Sequence, residues 1–250
     1  MRKHLVREKN STKSLDYQET RRFFDNRAEK YNSDNPYSVT MYQDNNSQLV
    51  QQRNQHETQK LLPLLRLNED SRVLDLACGI GRWADAINVD VAEYCGIDFS
   101  EKLISIANQR KSKPGMTFLS GSMTELHSVL TRNGKGTFNR ILMIGILMYL
   151  NDGDIISVLE QTEKHCERSA VICIREPIGL DSRLTLKDFY SEELHDQYNA
   201  IYRTDSEIKD ILSKSLISKG FSITHEGFLF EEAQLNNRKE TAQYYYILER

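Results

Sequence analysis

Asp75, Gly79, Gly81 and Asp98 are the residues whose types and spacing point most directly at chemistry. Residues 73–84 read Val-Leu-Asp-Leu-Ala-Cys-Gly-Ile-Gly-Arg-Trp-Ala. An apolar run enters a turn with glycines two apart, and a helix-like segment follows. Glycine there permits positive φ and lets a ligand approach the backbone closely. In its Gly-x-Gly-x-x-Ala form the turn fits a dinucleotide fingerprint. Asp98 ends the next apolar run, where a carboxylate can accept both hydroxyl protons of an adenosine ribose. Phe99 beside it can pack on adenine. Asp98 and Ser100 can equally cap a helix opening at Glu101, and the two roles are compatible.

These residues need rigid elements to hold them. From position 72 onward, short apolar runs at 73–77, 93–98, 116–119, 140–146 and 170–174 alternate with helix-like spacers. That alternation signals a parallel sheet built from right-handed βαβ units. Runs at 221–230 and 244–248 have no helix between them and read as an antiparallel pair at the sheet edge. Ahead of the alternation lie two amphipathic stretches, 17–31 and 43–67, separated by a loop at 32–36. Residues 1–60 therefore read as an N-terminal helical cover and 61–250 as the main domain. The connection 179–204 is too long for a plain loop. It reads as an insertion with a short helix near 190–198.

With these elements in place, residues from about 61 to 250 resemble the class I S-adenosylmethionine-dependent methyltransferases. The residues that carry the resemblance are Asp75-Leu-Ala-Cys-Gly-Ile-Gly, Gly96-Ile-Asp98-Phe-Ser, the region 138–152 and the terminal strand pair. The resemblance implies a Rossmann-like α/β fold, with a seven-stranded, mostly parallel sheet, an antiparallel last strand and helices on both faces. It implies S-adenosylmethionine as cofactor. Asp75 would orient the turn and the cofactor's amino group, with Ala77, Cys78, Gly79 and Gly81 around it. Asp98 and Phe99 would take the ribose and adenine, Ser122 and Met123 the base, and Ile144 and Gly145 the region past the fourth strand. Tyr31 and Arg53 would close over the methionine end, although Arg53 can instead pair with Glu57 at i, i+4. A nicotinamide-binding turn usually has no acid at the place of Asp75. Two departures stand out: Gly121-Ser122 where the family often has Gly-Asp, which weakens the adenine contact, and Phe138-Asn139 where it often has Phe-Asp.

Methyl transfer from a sulfonium is an in-line displacement, so the protein must position the nucleophile and take its proton where it carries one. The acceptor belongs outside the carboxyl ends of the strands. Tyr149, in the segment after the fourth strand, is a candidate orienting group or a packed aromatic. Glu176 is a candidate base or the salt partner of Arg175. His127 is a further base candidate or a surface histidine. Arg175 and, in the insertion, Arg183, Tyr198, Tyr202 and Arg203 suit a hydroxyl-rich or anionic acceptor. A solvated helix face is the plainer alternative for the insertion.

The 250 residues carry 33 Lys+Arg against 36 Asp+Glu, a net charge of -3, which disfavours bulk nucleic-acid or anionic-membrane binding. No apolar run approaches the roughly 20 residues of a membrane span. The start, 1–13, is basic without an apolar core and does not read as a secretory signal. Cys78, Cys95, Cys166 and Cys173 show no paired spacing and fit reduced thiols in a cytoplasmic protein. The six histidines show no metal-ligand spacing. The expected activity is methyl transfer to oxygen or nitrogen of a small-molecule or saccharide-like acceptor. Alternatives are an RNA or protein methyltransferase, supported only by Arg2, Lys3, Arg7, Lys9 and Lys13; a nicotinamide-dependent oxidoreductase; and a non-catalytic cofactor-binding subunit.

Overall fold

The structure, a computed structural model, describes residues 6–9, 13–110 and 114–250. Arg2 and Lys3 of the basic start lie outside them. A strand β1 (Val6–Lys9) precedes the helices α1 (Tyr17–Glu29), α2 (Ser38–Met41) and α3 (Ser47–Leu65). The Asp16 carboxylate accepts the N–H groups of Gln18 and Glu19 and so starts α1. Asn46 does the same for α3 through the Leu49 N–H. Both satisfy donors that have no partner inside the helix.

The alternating region then unfolds as the apolar runs foretell. It comprises β2 (Arg72–Leu76), α4 (Arg82–Ala86), β3 (Glu93–Asp98), α5 (Glu101–Arg110), β4 (Met116–Ser120), α6 (Leu126–Arg132), β5 (Phe138–Ile144), α7 (Asp152–Lys164) and β6 (Cys166–Gly179). A hairpin, β7 (Leu184–Ser191) and β8 (Asp196–Tyr202), leads to α8 (Asp205–Lys214), β9 (Ser222–Phe228) and β10 (Thr241–Glu249). The main sheet has seven strands in the order β4-β3-β2-β5-β6-β10-β9. β2 through β6 pair in parallel, and β10 runs antiparallel to both β6 and β9.

Side-chain alternation along the strands divides the core. Leu74 and Leu76 of β2 join Val129, Val158 and Leu212 from α6, α7 and α8 on one face. Val73 joins Leu61, Trp83 and Ala107 from α3, α4 and α5 on the other. The strand order reverses between β2 and β5, so neighbouring crossovers leave toward opposite faces. A crevice opens there at the carboxyl ends of the strands.

The insertion is a β-hairpin, not the helix expected near 190–198. Tyr190, Leu194 and Tyr198 are spaced four apart and mimic a helix face. The period-two sets Leu184/Leu186 and Tyr198/Ala200/Tyr202 are the ones that bury. They pack on Phe23 of α1, while β1 pairs with the free edge of β7. His195 takes the tight turn with φ +51. Lys30 donates to the Leu194 carbonyl at 2.7 Å, and Asn26 donates to Asp196 at 3.0 Å, so α1 and the hairpin form one roof over the crevice.

Arg203, just past β8, fastens that roof to the sheet. It donates to the carbonyls of Leu147 and Leu150 at 2.8 and 2.7 Å and to Asp152 at 2.7–2.9 Å. Arg183 also reaches Asp152, at 2.6 Å, and Glu207. Both arginines therefore face the α7 and α8 ends, away from the crevice where the acceptor reading had placed them. Arg203→Ala would strand two carbonyls in a buried site, at a cost of about 3 kcal/mol. The expected fall in Tm is roughly 10 °C, read by calorimetric melting; an unchanged Tm would refute this role.

Candidate active site

The turn after β2 is built from left-handed backbone: Ala77, Gly79 and Gly81 have φ of +61, +56 and +81. At Gly79 there is a second constraint, because a Cβ there would stand 2.8 Å from Thr40 Cγ2 of α2. Cys78 N–H donates to the Ile97 carbonyl at 3.0 Å, and Gly79 N–H donates to Asp98 Oδ2, also at 3.0 Å. Ser100 N–H donates to Asp98 Oδ1 at 2.9 Å. The carboxylate thus holds Ser100, whose Oγ caps α5 by accepting the Leu103 N–H at 3.2 Å, and braces the turn as well, and each of its oxygens keeps a lone pair for a further donor. Burial pushes the Asp98 carboxyl up to about 6, against the pull of the two N–H groups. Asp75 lies deeper and is pushed up to about 7 by burial, with the Tyr94 hydroxyl donating to it from β3.

The crevice outside these strands is a cleft with about 1350 Å³ of empty volume, its solvent-filled mouth included. Ala77, Asp98, Phe99, Ser122, Met123, Ile144 and Gly145 line it, as the sequence led us to expect. Asp75, Cys78, Gly79 and Gly81 support the lining from behind and do not contribute to it. Arg53 reaches in from α3. Its Nε donates to the Leu235 carbonyl at 2.8 Å, while its buried Nη1 has no hydrogen-bond partner.

Glu57, one turn along α3, does not pair with Arg53. Its carboxylate lies between Arg82 of α4 at 2.5 Å and Arg175 of β6 at 2.7 Å. Burial alone would raise its pKa, but Arg175 and Arg82 outweigh it and hold the group below its ordinary value.

The other expected residues divide. Tyr149, Tyr198, Tyr202 and Arg175 line the cleft. Glu176 does not. It points under the loop after β5, where it accepts the N–H groups of Ile146, Leu147 and Met148 at 2.7–3.1 Å, and it makes no ion pair with Arg175. Burial pushes it up to about 7. His127 is exposed in the first turn of α6, with Nδ1 3.0 Å from His165 Nε2. Tyr31 packs with Ala28, Val39, Ile80 and Leu103, and its hydroxyl accepts from Arg110. Neither His127 nor Tyr31 lines the cleft.

Several lining residues escaped the sequence reading, among them Phe24 of α1, Met41 and Tyr42 around α2, and Gln243 of β10. Only the aromatic pair Phe23-Phe24 on one helix could have hinted at a roof. Among the described residues no group of three or more His, Cys, Asp or Glu could hold a metal ion.

An α/β sheet with this strand order, a left-handed glycine turn and a braced acid on the adjoining strand define a nucleoside-binding, Rossmann-like protein. Residues 73–169 match a family described as a methyltransferase domain. Comparison with curated protein sequences returns no match. Among solved structures, phosphoethanolamine N-methyltransferase 1 of Haemonchus contortus is 18% identical with TM-score 0.65, over 94% of this chain and 50% of that one. A Leishmania major S-adenosylmethionine-dependent methyltransferase is 15% identical with TM-score 0.59, over 90% and 82%. Magnesium protoporphyrin IX methyltransferase of Synechocystis is 15% identical with TM-score 0.59, over 96% and 100%. At these identities the likeness speaks to fold. Taken with the matched domain, it gives this chain a methyltransferase domain over residues 73–169 within the fold of the class I S-adenosylmethionine-dependent methyltransferases.

The cleft fits that cofactor. Asp98 offers free lone pairs to a ribose diol, Phe99 and Met123 offer apolar surface to adenine, and the unpartnered Arg53 Nη1 suits a carboxylate.

Because the Asp98 carboxyl is raised, it takes up its proton on acidification through about pH 6 and then loses acceptor capacity. S-adenosylhomocysteine affinity, measured by calorimetry, is expected to weaken as pH falls from 7 to 5 and to be lost in Asp98→Ala. A flat profile would refute the ribose contact. Glu176→Ala leaves three N–H groups unsatisfied and is expected to cost about 3 kcal/mol of stability, whereas His127→Ala should keep kcat/KM within twofold. Denaturant melts and initial rates check both; an inactive His127 variant that still folds would reinstate that base.

Proposed function

We propose that this protein transfers the methyl group of S-adenosylmethionine to an oxygen or nitrogen of a small-molecule acceptor. The observation that carries the reading is the roof. α1, the α2 region and the β7–β8 hairpin close the cleft over the strand ends, which leaves a walled chamber beside the cofactor region rather than an open groove. A polymer would need such a groove.

The cofactor supplies a methyl group activated on a sulfonium. The chain's work is positional. Asp98 and the glycine turn fix the nucleoside half, Arg53 suits the methionine carboxylate, and Tyr149 and Met148, on the loop after β5, face the remaining volume. Holding both partners at near-attack distance supplies much of the rate in such a displacement.

Arg183 and Arg203 no longer speak for a saccharide-like acceptor, since Asp152 holds both. What supports a hydroxyl-bearing acceptor is the tyrosine lining. No helix among the described residues is long and apolar enough to cross a membrane. All four cysteines are free and buried, which fits a reducing, cytoplasmic setting.

Calorimetry is expected to show one S-adenosylhomocysteine bound per chain and no binding of NAD. Transfer of labelled methyl should appear with small hydroxyl or amine acceptors and not with bulk tRNA or unfolded protein. Saturable NAD binding without S-adenosylhomocysteine binding would overturn the reading. Labelling confined to tRNA would transfer it to the nucleic-acid class.

A further inference from the structure

The roof of the chamber carries a cluster of tyrosine hydroxyls that the cofactor does not explain. Tyr42 Oη lies 2.5 Å from Tyr149 Oη, Tyr149 Oη 3.0 Å from Tyr198 Oη, and Tyr202 donates to Tyr198 at 3.3 Å. The four come from different places in the chain: the end of α2, the loop after β5, and β8. All four line the cleft. Packing apolar residues at these positions would have been the simpler way to close a roof, because buried hydroxyls cost free energy unless they find partners.

Tyr42 also has a backbone that does not come free. Its φ of +65 and ψ of -160 lie in a region that is essentially glycine's. Its N–H donates to the Ser38 carbonyl at 2.8 Å, the next residue's N–H donates to Glu193 at the hairpin tip, and Arg27, paired with Asp44, lies over its ring at 5.6 Å. The surrounding structure holds a strained tyrosine in place and aims its hydroxyl into the cluster.

The charges around the cleft are as informative. Its lining has two arginines, Arg53 and Arg175, and two carboxylates, Glu57 and Asp98. Both carboxylates are committed: Glu57 to Arg82 and Arg175, Asp98 to the glycine turn, to Ser100 and, in the methyl-transfer reading, to the cofactor's ribose. Among the described residues that line the cleft, none is a free carboxylate for an ammonium group, and none is a histidine that could act as base.

We propose that the acceptor is an apolar-bodied molecule with an acidic hydroxyl, phenolic or enolic, whose oxygen binds as the anion on the Tyr42–Tyr149–Tyr198–Tyr202 hydroxyl cluster. This rests on the methyl-transfer reading and narrows it from oxygen or nitrogen to oxygen. Burial pushes the Tyr42 hydroxyl up to about 12 and raises those of Tyr149 and Tyr198 well above their ordinary value, so these groups stay protonated; the three bonds within the cluster use three of its four protons and leave one hydroxyl to donate to the anion. The acceptor's proton leaves to water at the cleft mouth. The oxyanion lone pair then forms the O–C bond as the S–C bond breaks, and its electron pair stays on sulfur. Anion and sulfonium become ether and thioether, a loss of charge that a low-dielectric chamber favours. An amine would instead leave a cation there with no counter-charge.

The test uses the full chain with S-adenosylhomocysteine bound and 4-nitrophenol as probe, since its phenolate has its own absorbance band. The enzyme is expected to bind the phenolate and lower the probe's apparent ionisation constant exponent by at least one unit. Tyr42→Phe and Tyr198→Phe should each remove most of that shift while S-adenosylhomocysteine affinity stays within twofold. With labelled S-adenosylmethionine, 4-nitrophenol should be methylated at least tenfold faster than benzylamine. Binding of the neutral phenol, no binding of the probe, or preferential methylation of benzylamine would each overturn the proposal. Failure of wild-type protein to bind S-adenosylhomocysteine would instead bring down the methyl-transfer reading beneath it.

Discussion

A single buried carboxylate ties the architecture together. Glu57 comes from the N-terminal cover, Arg82 from the helix that follows the glycine turn, and Arg175 from the far side of the strand-order switch. Two charges of one sign and one of the other, removed from water, gain little net stability over an apolar contact of the same volume. What they provide is direction. A methyl-bearing side chain could slide among several packings, whereas a carboxylate shared by two guanidinium groups fits one relative placement of α3, α4 and β6. The crevice between β2 and β5 exists in any sheet of this order. Glu57 determines which helix stands at its side, and so brings Arg53, one turn earlier on α3, to the cleft with a donor to spare.

The second organising contact is made by Arg203, and it works by the same logic at the opposite end of the cleft. The loop after β5 has to leave the sheet without regular pairing, so its carbonyls at 147 and 150 need donors. Arg203 supplies them from the end of the hairpin, and Glu176 supplies acceptors for the N–H groups at 146 to 148. The loop that presents Met148 and Tyr149 is therefore held from both sides by charged groups that never reach a ligand. Glu176 and Arg203 both looked like chemistry in the sequence because charged residues at strand ends usually are. Their work is to fix backbone that faces the chemistry.

The legible parts of the sequence were those with local signatures. The glycine turn, Asp98, Phe99, Ser122 and Met123 each sit at or just beyond the end of an apolar run, and strand ends converge on one place in a parallel sheet. The seven strands followed from short apolar runs, which have few alternatives once helices separate them. The hairpin was not legible, since Tyr190, Leu194 and Tyr198 offered a helical period over the same residues that alternate as strands. Which period buries depends on Phe23, about 170 residues earlier in the chain. The pairings of Arg53, Glu57 and Arg175 were illegible for a related reason. Each had a plausible neighbour in sequence, and each found its partner across the fold or, for Arg53, kept a donor unpartnered.

Tyr42 shows what lies beyond either kind of signature. Nothing in Met41-Tyr42-Gln43 requests two successive left-handed residues, and a non-glycine residue in that backbone region costs about 1–3 kcal/mol. The conformation persists because contacts from three directions outvote it: the α2 carbonyl at Ser38, the hairpin through Glu193, and the Arg27–Asp44 pair beneath. Those contacts also join the cover to the hairpin, so the roof and the aim of the Tyr42 hydroxyl are fixed by one set of bonds. A roof assembled in this way is complete before any ligand arrives. The polar groups inside it are then preorganised, and the acceptor need not be the agent that orders them.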